Sequence, residues 1–291
     1  VNLTLDAATP VLVQGITGRA ARQHSRLMRG YGTNIVAGTS SKTDIADVEG
    51  VPVYSDCAAA VAATGAVASI AMVPALSVAD AVEEAIAAGL KLIVTITEGV
   101  PVHDAMRIKR RAAAAGATWI GASTPGLCVP GKTKLGFLPD AALLPGSLGI
   151  MSKSGTLSYE VCYRLKQRGL GQSAWIGVGG DLVKGTRFPD LLPHFANDPG
   201  TSAVVVVGEI GGTEEEDMAA AMTALGFDKP VFALIAGSRA REGVTMGHAG
   251  ALVHGSSGSV GSKIEAIAAA GGHAFTDIGA LVAAVSARMG G

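Results

Sequence analysis

The residue in this 291-residue chain best placed to do chemistry is His248, in the run Met246-Gly247-His248-Ala249-Gly250-Ala251. One glycine precedes it, another follows two positions on, and no charged residue lies between Glu242 and Lys263. Such a histidine sits on a loop that can bring its ring close to other groups. Imidazole is one of the few side chains able to act as a nucleophile near neutral pH. A lone Gly-His pair more often caps a turn. Here three further segments carry related chemistry: Gly15-Ile16-Thr17-Gly18, Ser152-Lys153-Ser154-Gly155-Thr156 and Gly208-Glu209-Ile210-Gly211-Gly212.

Ser154 and Gly155 open a helix that carries hydroxyls at Ser154, Thr156 and Ser158 and no acid before Glu160. Its unpaired N–H groups and positive dipole end suit a phosphoryl group. The helix after Gly211-Gly212 is the opposite case. Thr213 and Glu216 are expected to form a capping box there, and Glu214, Glu215 and Asp217 complete an acidic first turn that needs no further anion. Glu209 follows the four valines at 204–207. A buried carboxylate requires a partner, and imidazole is a natural one. By accepting Nδ1–H it would fix the tautomer and leave Nε2 as the nucleophile.

Gly15 and Gly18 turn the first strand into the first helix, a geometry that brings backbone and a helix N-terminus close to an anion, with Arg19 offering a cation. The spacing Gly15-x-x-Gly18 does not complete the dinucleotide fingerprint, and from these residues alone a plain strand–helix turn is the competing reading. Thr95-Ile96-Thr97-Glu98-Gly99 ends another strand, and a carboxylate at a strand's carboxyl end points to a polar site. Gly126-Leu127-Cys128-Val129-Pro130-Gly131-Lys132-Thr133 matches the expression of a nucleotide P-loop. That mechanism needs a helix after the loop. Residues 132–140 contain Gly136 and Pro139, and Pro130 lacks an N–H, so the match is a decoy. His24, His103 and His194 lack glycine flanks, His254 and His273 have glycine on one side only, and none has helical metal spacing. They read as surface or packing residues, and no metal site is expected.

The elements that must position these residues alternate. Strands are predicted at 10–14, 34–37, 68–73, 91–96 and 118–121, with helices near 19–30, 57–64, 77–88 and 103–115. A stretch dense in proline and glycine follows. The rhythm then restarts with strands at 148–151, 174–178, 203–207, 230–235 and 273–275, and helices after Gly155, Phe188, Thr213, Gly258 and Asp277. The expected division is a Rossmann-like α/β domain over 1–125, a connector over 126–146 and a flavodoxin-like, doubly wound domain over 147–291 that carries His248.

Composition agrees with parallel sheets buried on both faces: 48% hydrophobic, 4% aromatic and 40 glycines. A net charge of −1 with no basic stripe argues against a nucleic-acid partner. No 18-residue apolar span or signal segment occurs, so no membrane partner is expected. Three scattered cysteines suit a reducing compartment. The expected location is the cytoplasm, or the mitochondrial matrix in a eukaryote.

The four opening segments, in this order and spacing, together with Ile96-Thr97-Glu98-Gly99, Tyr159-Glu160 and Gly179-Gly180-Asp181, resemble the α subunits of the succinyl-CoA synthetases, the succinate–CoA ligases, essentially from end to end. The resemblance implies a reversible acid–CoA ligase of the tricarboxylic acid cycle type. Coenzyme A would lie on Thr17, Gly18, Arg19 and Ala20, with Lys42 on a phosphate and Ile96, Thr97 and Glu98 lining its pocket. Tyr159 would contact substrate. An acyl-CoA and phosphate would give an acyl phosphate, and His248, supported by Glu209, would take the phosphoryl group beside Ser154 and Gly155. A β subunit of the ATP-grasp type, holding Mg²⁺ with the nucleotide, would pass it to ADP or GDP.

Two departures leave room for another dicarboxylic acid. The family usually has Gly-Pro-Asn-Cys-Pro-Gly where this chain reads Gly121-Ala122-Ser123-Thr124-Pro125-Gly126, and basic residues where it has Val244 and Thr245. A malate–CoA ligase is therefore one alternative, and a CoA-sensing regulatory protein is the alternative outside enzymes. Lys42 also stands without the flanking proline and glycines that the family places around its lysine.

Overall fold

The computed structural model describes residues 3, 5–42, 44–238, 248 and 258–290. The chain divides into two compact units, Asn2–Phe137 with Val183–Thr186, and Leu138–Leu182 with Arg187–Gly291.

In the first unit the order is β1 (Val11–Gln14), α1 (Arg19–Tyr31), β2 (Ile35–Thr39), β3 (Asp47–Val48), β4 (Val51–Tyr54), α2 (Cys57–Thr64), β5 (Ala68–Ala71), α3 (Val78–Ala87), β6 (Leu92–Thr95), α4 (Val102–Ala114), β7 (Thr118–Gly121), β8 (Gly126–Val129) and β9 (Thr133–Gly136). The sheet runs β3-β4-β2-β1-β5-β6-β7, parallel except for the β3–β4 pair. Numbered by parallel strand alone this is the Rossmann order 3-2-1-4-5-6. After β1 the chain adds strands on one side, then crosses back to add β5 on the other. The loops leaving β1 and β5 diverge at that point and open a crevice. Strand residues such as Leu12, Ile70 and Ile93 are fully buried. Helices α2 and α3 close over one face, with Cys57, Ala60, Val78 and Val82 at 0% exposure.

The second unit continues with β10 (Pro145–Ser152), α5 (Gly155–Lys166), β11 (Gln172–Gly177), α6 (Phe188–Asn197), β12 (Ala203–Glu209), α7 (Glu214–Leu225), β13 (Val231–Ala236), α8 (Val260–Ala269), β14 (His273–Phe275) and α9 (Ile278–Met289). Its parallel strands lie in the order β14-β13-β12-β10-β11, the flavodoxin-like arrangement. The valine run forms β12 because a central parallel strand is covered on both faces. The switch point falls between β10 and β12, so the loops after Ser152 and Glu209 open toward a common crevice.

Two hairpins were not expected from sequence. Strands β3 and β4 join through Glu49 and Gly50, with positive φ of 56° and 82°, which is a two-residue hairpin turn on a short segment. Strands β8 and β9 lie inside the stretch expected to be a connector. Their register pairs Gly126 with Gly136 and Val129 with Thr133. Lys132 N–H donates to the Val129 carbonyl at 2.9 Å across Pro130 and Gly131 (φ 79°), a type II turn. A Cβ at Gly126 or Gly136 would strike the facing backbone, which is why glycines recur there. No helix follows Lys132, so the P-loop geometry does not form.

Candidate functional site

The crevice of the first unit is a cleft of about 420 Å³ lined by Gln14, Gly15, Thr17, Gly18, Ser40, Ser41 and Val73, and by the acids Asp80 and Glu84. Its floor follows from the turn after β1. Gly15 has φ 76°, and a Cβ there would lie 2.9 Å from the Met72 carbonyl oxygen. Gly15 and Ile16 N–H groups donate to the Thr39 carbonyl at 3.0 and 3.2 Å. Gly38 leaves the space that the Ile16 side chain fills. Gly18 precedes α1 with no side-chain cap, and the first helical turn, Arg19 and Ala20 included, holds no acid. The helix end therefore presents N–H groups and positive dipole to the cleft.

Thr17 and Ser40 bridge the loops after β1 and β2 through their hydroxyls at 2.8 Å, and Lys42 N–H donates to Ser40 Oγ at 3.0 Å. Arg19, Ala20 and Lys42 are exposed. Lys42 does not line the cleft, whereas Ser40 and Ser41 do. Thr97 reaches its rim: its hydroxyl donates to the Val73 carbonyl at 2.6 Å, and its own carbonyl accepts Ser123 N–H at 2.9 Å. Ile96 is half-buried and Glu98 exposed. Cys57, behind the cleft, is buried, and burial with the nearby Glu84 charge pushes its thiol up to about 12, which keeps it inert.

In the second unit the structure brings Glu209 and His248 together. Nδ1 of the imidazole lies 2.7 Å from Glu209 Oε2, with side-chain exposures of 24% and 10%. A carboxylate only accepts, so Nδ1 carries the hydrogen and the neutral ring has its lone pair on Nε2. Gly180, after β11, is where the ring packs: a Cβ there would overlap the imidazole. The residues around His248 in its glycine-rich run, and His254, lie outside the described residues.

Ser154 caps α5, its Oγ accepting Leu157 N–H at 3.3 Å. One of the end's N–H groups is thus taken by the serine itself. Gly155 and Thr156 N–H groups point beyond the helix as its geometry dictates. Tyr159, on the same helix, stands edge-on to Trp175 at 5.8 Å between ring centres, and burial raises its hydroxyl above the usual range.

The capping box expected at Thr213 does not form; no side chain caps α7. Glu216 instead accepts from Lys263 at 2.9 Å and from the Ser262 hydroxyl at 2.9 Å. Glu215 accepts from Lys153 at 2.8 Å and Lys263 at 2.5 Å, all three buried. Lys153, between two serines, has no role legible in its local sequence. Its anion Glu215 lies 62 positions away, and the second lysine on that anion lies 48 positions from it; no local pattern marks these contacts or the packing of the ring on Gly180. The remaining described histidines pack or face solvent: His24 lies on Phe137, His194 beside Phe195 and His273 on Phe232.

Family models place these observations. A CoA binding domain matches residues 6–99 and a CoA-ligase domain residues 151–272. The chain is 48% identical over 269 residues to succinate–CoA ligase [ADP-forming] subunit alpha 2 of Archaeoglobus fulgidus, covering 92% of this chain and 93% of that one. It is 42% identical to the malate–CoA ligase subunit alpha of Methylorubrum extorquens over 91% of this chain and 90% of that one. Among solved structures, ATP citrate lyase of Methanosaeta concilii with bound (3S)-citryl-CoA superposes with a TM-score of 0.88 at 22% identity. That match covers 99% of this chain, which spans about half (51%) of the larger one, and shows a shared fold. A Rossmann-type unit with an open cleft, a flavodoxin-like unit with a carboxylate-held histidine, and this identity over nearly the whole length place the chain in the family of succinate–CoA ligase α subunits, acid–thiol ligases of the CoA-ligase class.

Proposed function

We propose that this chain is the α subunit of a succinate–CoA ligase and that His248 carries the phosphoryl group between acyl phosphate and nucleotide. The observation that carries the proposal is the 2.7 Å contact of Glu209 Oε2 with His248 Nδ1, which leaves Nε2 as the attacking atom. Coenzyme A is assigned to the cleft of the first unit, its phosphates on the turn Thr17-Gly18-Arg19-Ala20 with Ser40 and Ser41. Lys42 is close enough in sequence to help, and Ile96, Thr97 and Glu98, which do not line the cleft themselves, are assigned to the pantetheine. Tyr159 is assigned to substrate.

Run from the acyl-CoA, a phosphate oxygen adds to the thioester carbonyl, the C–S bond breaks, and the thiolate leaves to take a proton. The products are CoA and an acyl phosphate. Nε2 of His248 then attacks phosphorus, the bond from phosphorus to the acyl oxygen breaks, and the carboxylate departs. Glu209 balances the positive charge that develops on the ring. Backbone N–H groups at Gly155 and the Ser154 hydroxyl receive the phosphoryl oxygens. A nucleoside diphosphate on the β subunit takes the phosphoryl group and regenerates His248. Among the described residues no three His, Cys, Asp or Glu side chains gather as a metal site. Mg²⁺ is assigned with the nucleotide to an ATP-grasp β subunit. No helix among the described residues is long and apolar enough to cross a membrane. The three cysteines are free and buried, which supports a cytoplasmic assignment.

Co-purification with the β subunit and assay of thioester formation from a panel of dicarboxylic acids tests the reading. Highest kcat/KM for succinate is expected. A preference of about tenfold or more for malate would move the chain to the malate ligases, the alternative that the Ala122-Ser123-Thr124 departure leaves open. No thioester from any acid would remove the ligase assignment.

A further inference from the structure

Lys153 sits between the two serines that lead into α5, and its ammonium turns inward. It is 2.8 Å from Glu215 Oε1, 3.1 Å from Oε2 and 3.7 Å from Glu214 Oε2, with 7% of the side chain exposed. Glu215 is fully buried, and its Oε1 accepts the backbone N–H of Glu209 at 3.2 Å. Gly208 has no room for a side chain because Glu215 Oε1 lies 2.5 Å from where a Cβ would stand. The carboxylate is therefore pressed against the very peptide that delivers Glu209. Lys153 closes the loop with its own backbone, donating N–H to the Val207 carbonyl at 3.0 Å. Lys263 holds the far side of the same carboxylate at 2.5 Å, and also Gly212 O at 3.0 Å and Glu216 at 2.9 Å.

We propose that Lys153 and Glu215 are positioning residues for phosphoryl transfer, tying the helix end at Ser154-Gly155 and the carboxylate of Glu209 into one rigid frame. The inference rests on the reading of His248 as phosphoryl carrier. A buried ion pair by itself is weak evidence for stability, because apolar residues of similar volume often serve as well. Here the pair joins the two segments that must face one phosphoryl group from different strands. Burial alone would lower the Lys153 ammonium, but the Glu215 and Glu214 charges, with a contribution from Glu209, raise it. The link is thus charged throughout the working pH range. Groups that orient a reacting side chain from behind are typically worth about 10–100-fold in activity.

The test compares Lys153→Met, Lys153→Gln and Lys153→Arg with Lys263→Met in the assembled α–β enzyme. Melting temperature, single-turnover phosphorylation by ATP, and KM for CoA and the acid are measured on each. Lys153→Met and Lys153→Gln are expected to slow phosphorylation about tenfold or more with both KM values unchanged. Lys153→Gln keeps one hydrogen bond to Glu215 and supplies a folded variant should the methionine form not assemble. Lys153→Arg restores the cation and most of the rate. Lys263→Met removes a comparable buried partner from Glu215 without touching the Glu209 side, and is expected to lower melting temperature while leaving phosphorylation within about threefold. Equal loss of rate in the Lys153 and Lys263 variants, following their melting temperatures, would reduce the network to a fold-stabilising one. A wild-type rate in Lys153→Met would overturn the inference as well. Absence of phosphorylation in the wild-type enzyme would instead overturn the His248 reading on which it stands.

Discussion

The imidazole of His248 lies against bare backbone at Gly180: a Cβ at that glycine would stand 2.5 Å from Cδ2 and 2.7 Å from Nδ1 of the ring. Real Cβ atoms do not approach so closely, so the smallest side chain must displace the ring that Glu209 holds. Gly180→Ala is expected to cut phosphorylation of His248 by about tenfold or more, since misplacing a reacting group by about 1 Å costs on the order of 100-fold. CoA binding, measured by calorimetry, should be unchanged. Normal phosphorylation in Gly180→Ala would show that the ring does not react from this position.

In the first unit the more demanding glycine is Gly15. Its φ of 76° and the Met72 carbonyl 2.9 Å from a Cβ leave no place for alanine, whereas Gly18 has an ordinary φ of −66°. Gly15→Ala should cost about 1–3 kcal/mol in stability and abolish CoA binding by moving the turn. Gly18→Val should weaken CoA binding through its bulk at the helix end while changing stability less. Binding of CoA to both variants as tightly as to wild type would put the coenzyme elsewhere.

Lys132 is an exposed turn residue of the β8–β9 hairpin. Lys132→Ala should leave the ATP or GTP dependence of the assembled enzyme as it was. A nucleotide KM raised about tenfold with folding intact, roughly 1.4 kcal/mol of binding, would restore a nucleotide role to this loop.

Glu215 gives a pH signature. Burial alone would raise its carboxyl, but the Lys153 and Lys263 ammonium groups outweigh that and hold it below its ordinary 4.5. A carboxyl lowered in the folded state contributes stability above its unfolded value, and that stability is lost as pH falls through the lowered folded value. Glu215→Gln removes the anion that the two buried ammonium groups share, leaving Lys153 only Glu214 at 3.7 Å and Lys263 Glu216 at 2.9 Å, and should destabilise by about 3 kcal/mol at pH 7. The gap between variant and wild type should shrink below about pH 4.5 in denaturant titrations. A gap that stays constant into acid would mean that the carboxylate charge is not what stabilises.

Strand positions were legible because parallel strands buried on both faces read as short β-branched runs, as at β12 and β13, and the helices between them carry the apolar spacing of a covered face. The two hairpins were not. Residues 47–54 are short, and Gly50 and Pro52 interrupt the valines that would signal strands; at 126–136 the glycines and prolines that suggested a connector are those that a tight antiparallel pair with a type II turn requires. At the site, Glu209 and His248 could be paired because a buried acid after a valine strand needs a donor and because the family resemblance gives the matching glutamate this role. The roles of Lys153, Glu215 and Gly180 depend on contacts between distant segments, which no local pattern encodes. Glu216 illustrates the same limit, since a lysine 47 positions away draws it from the cap that its spacing suggested.

The most direct test of the account is to phosphorylate the assembled enzyme with labelled ATP, digest it under alkaline conditions and map the labelled peptide by mass. The expected result is one acid-labile, alkali-stable phosphoramidate on His248, absent from His248→Asn and formed more slowly in Glu209→Gln, while Ser154→Ala is affected less because backbone donors remain. Phosphate on any other residue, or a His248→Asn enzyme that still labels and turns over, would contradict it.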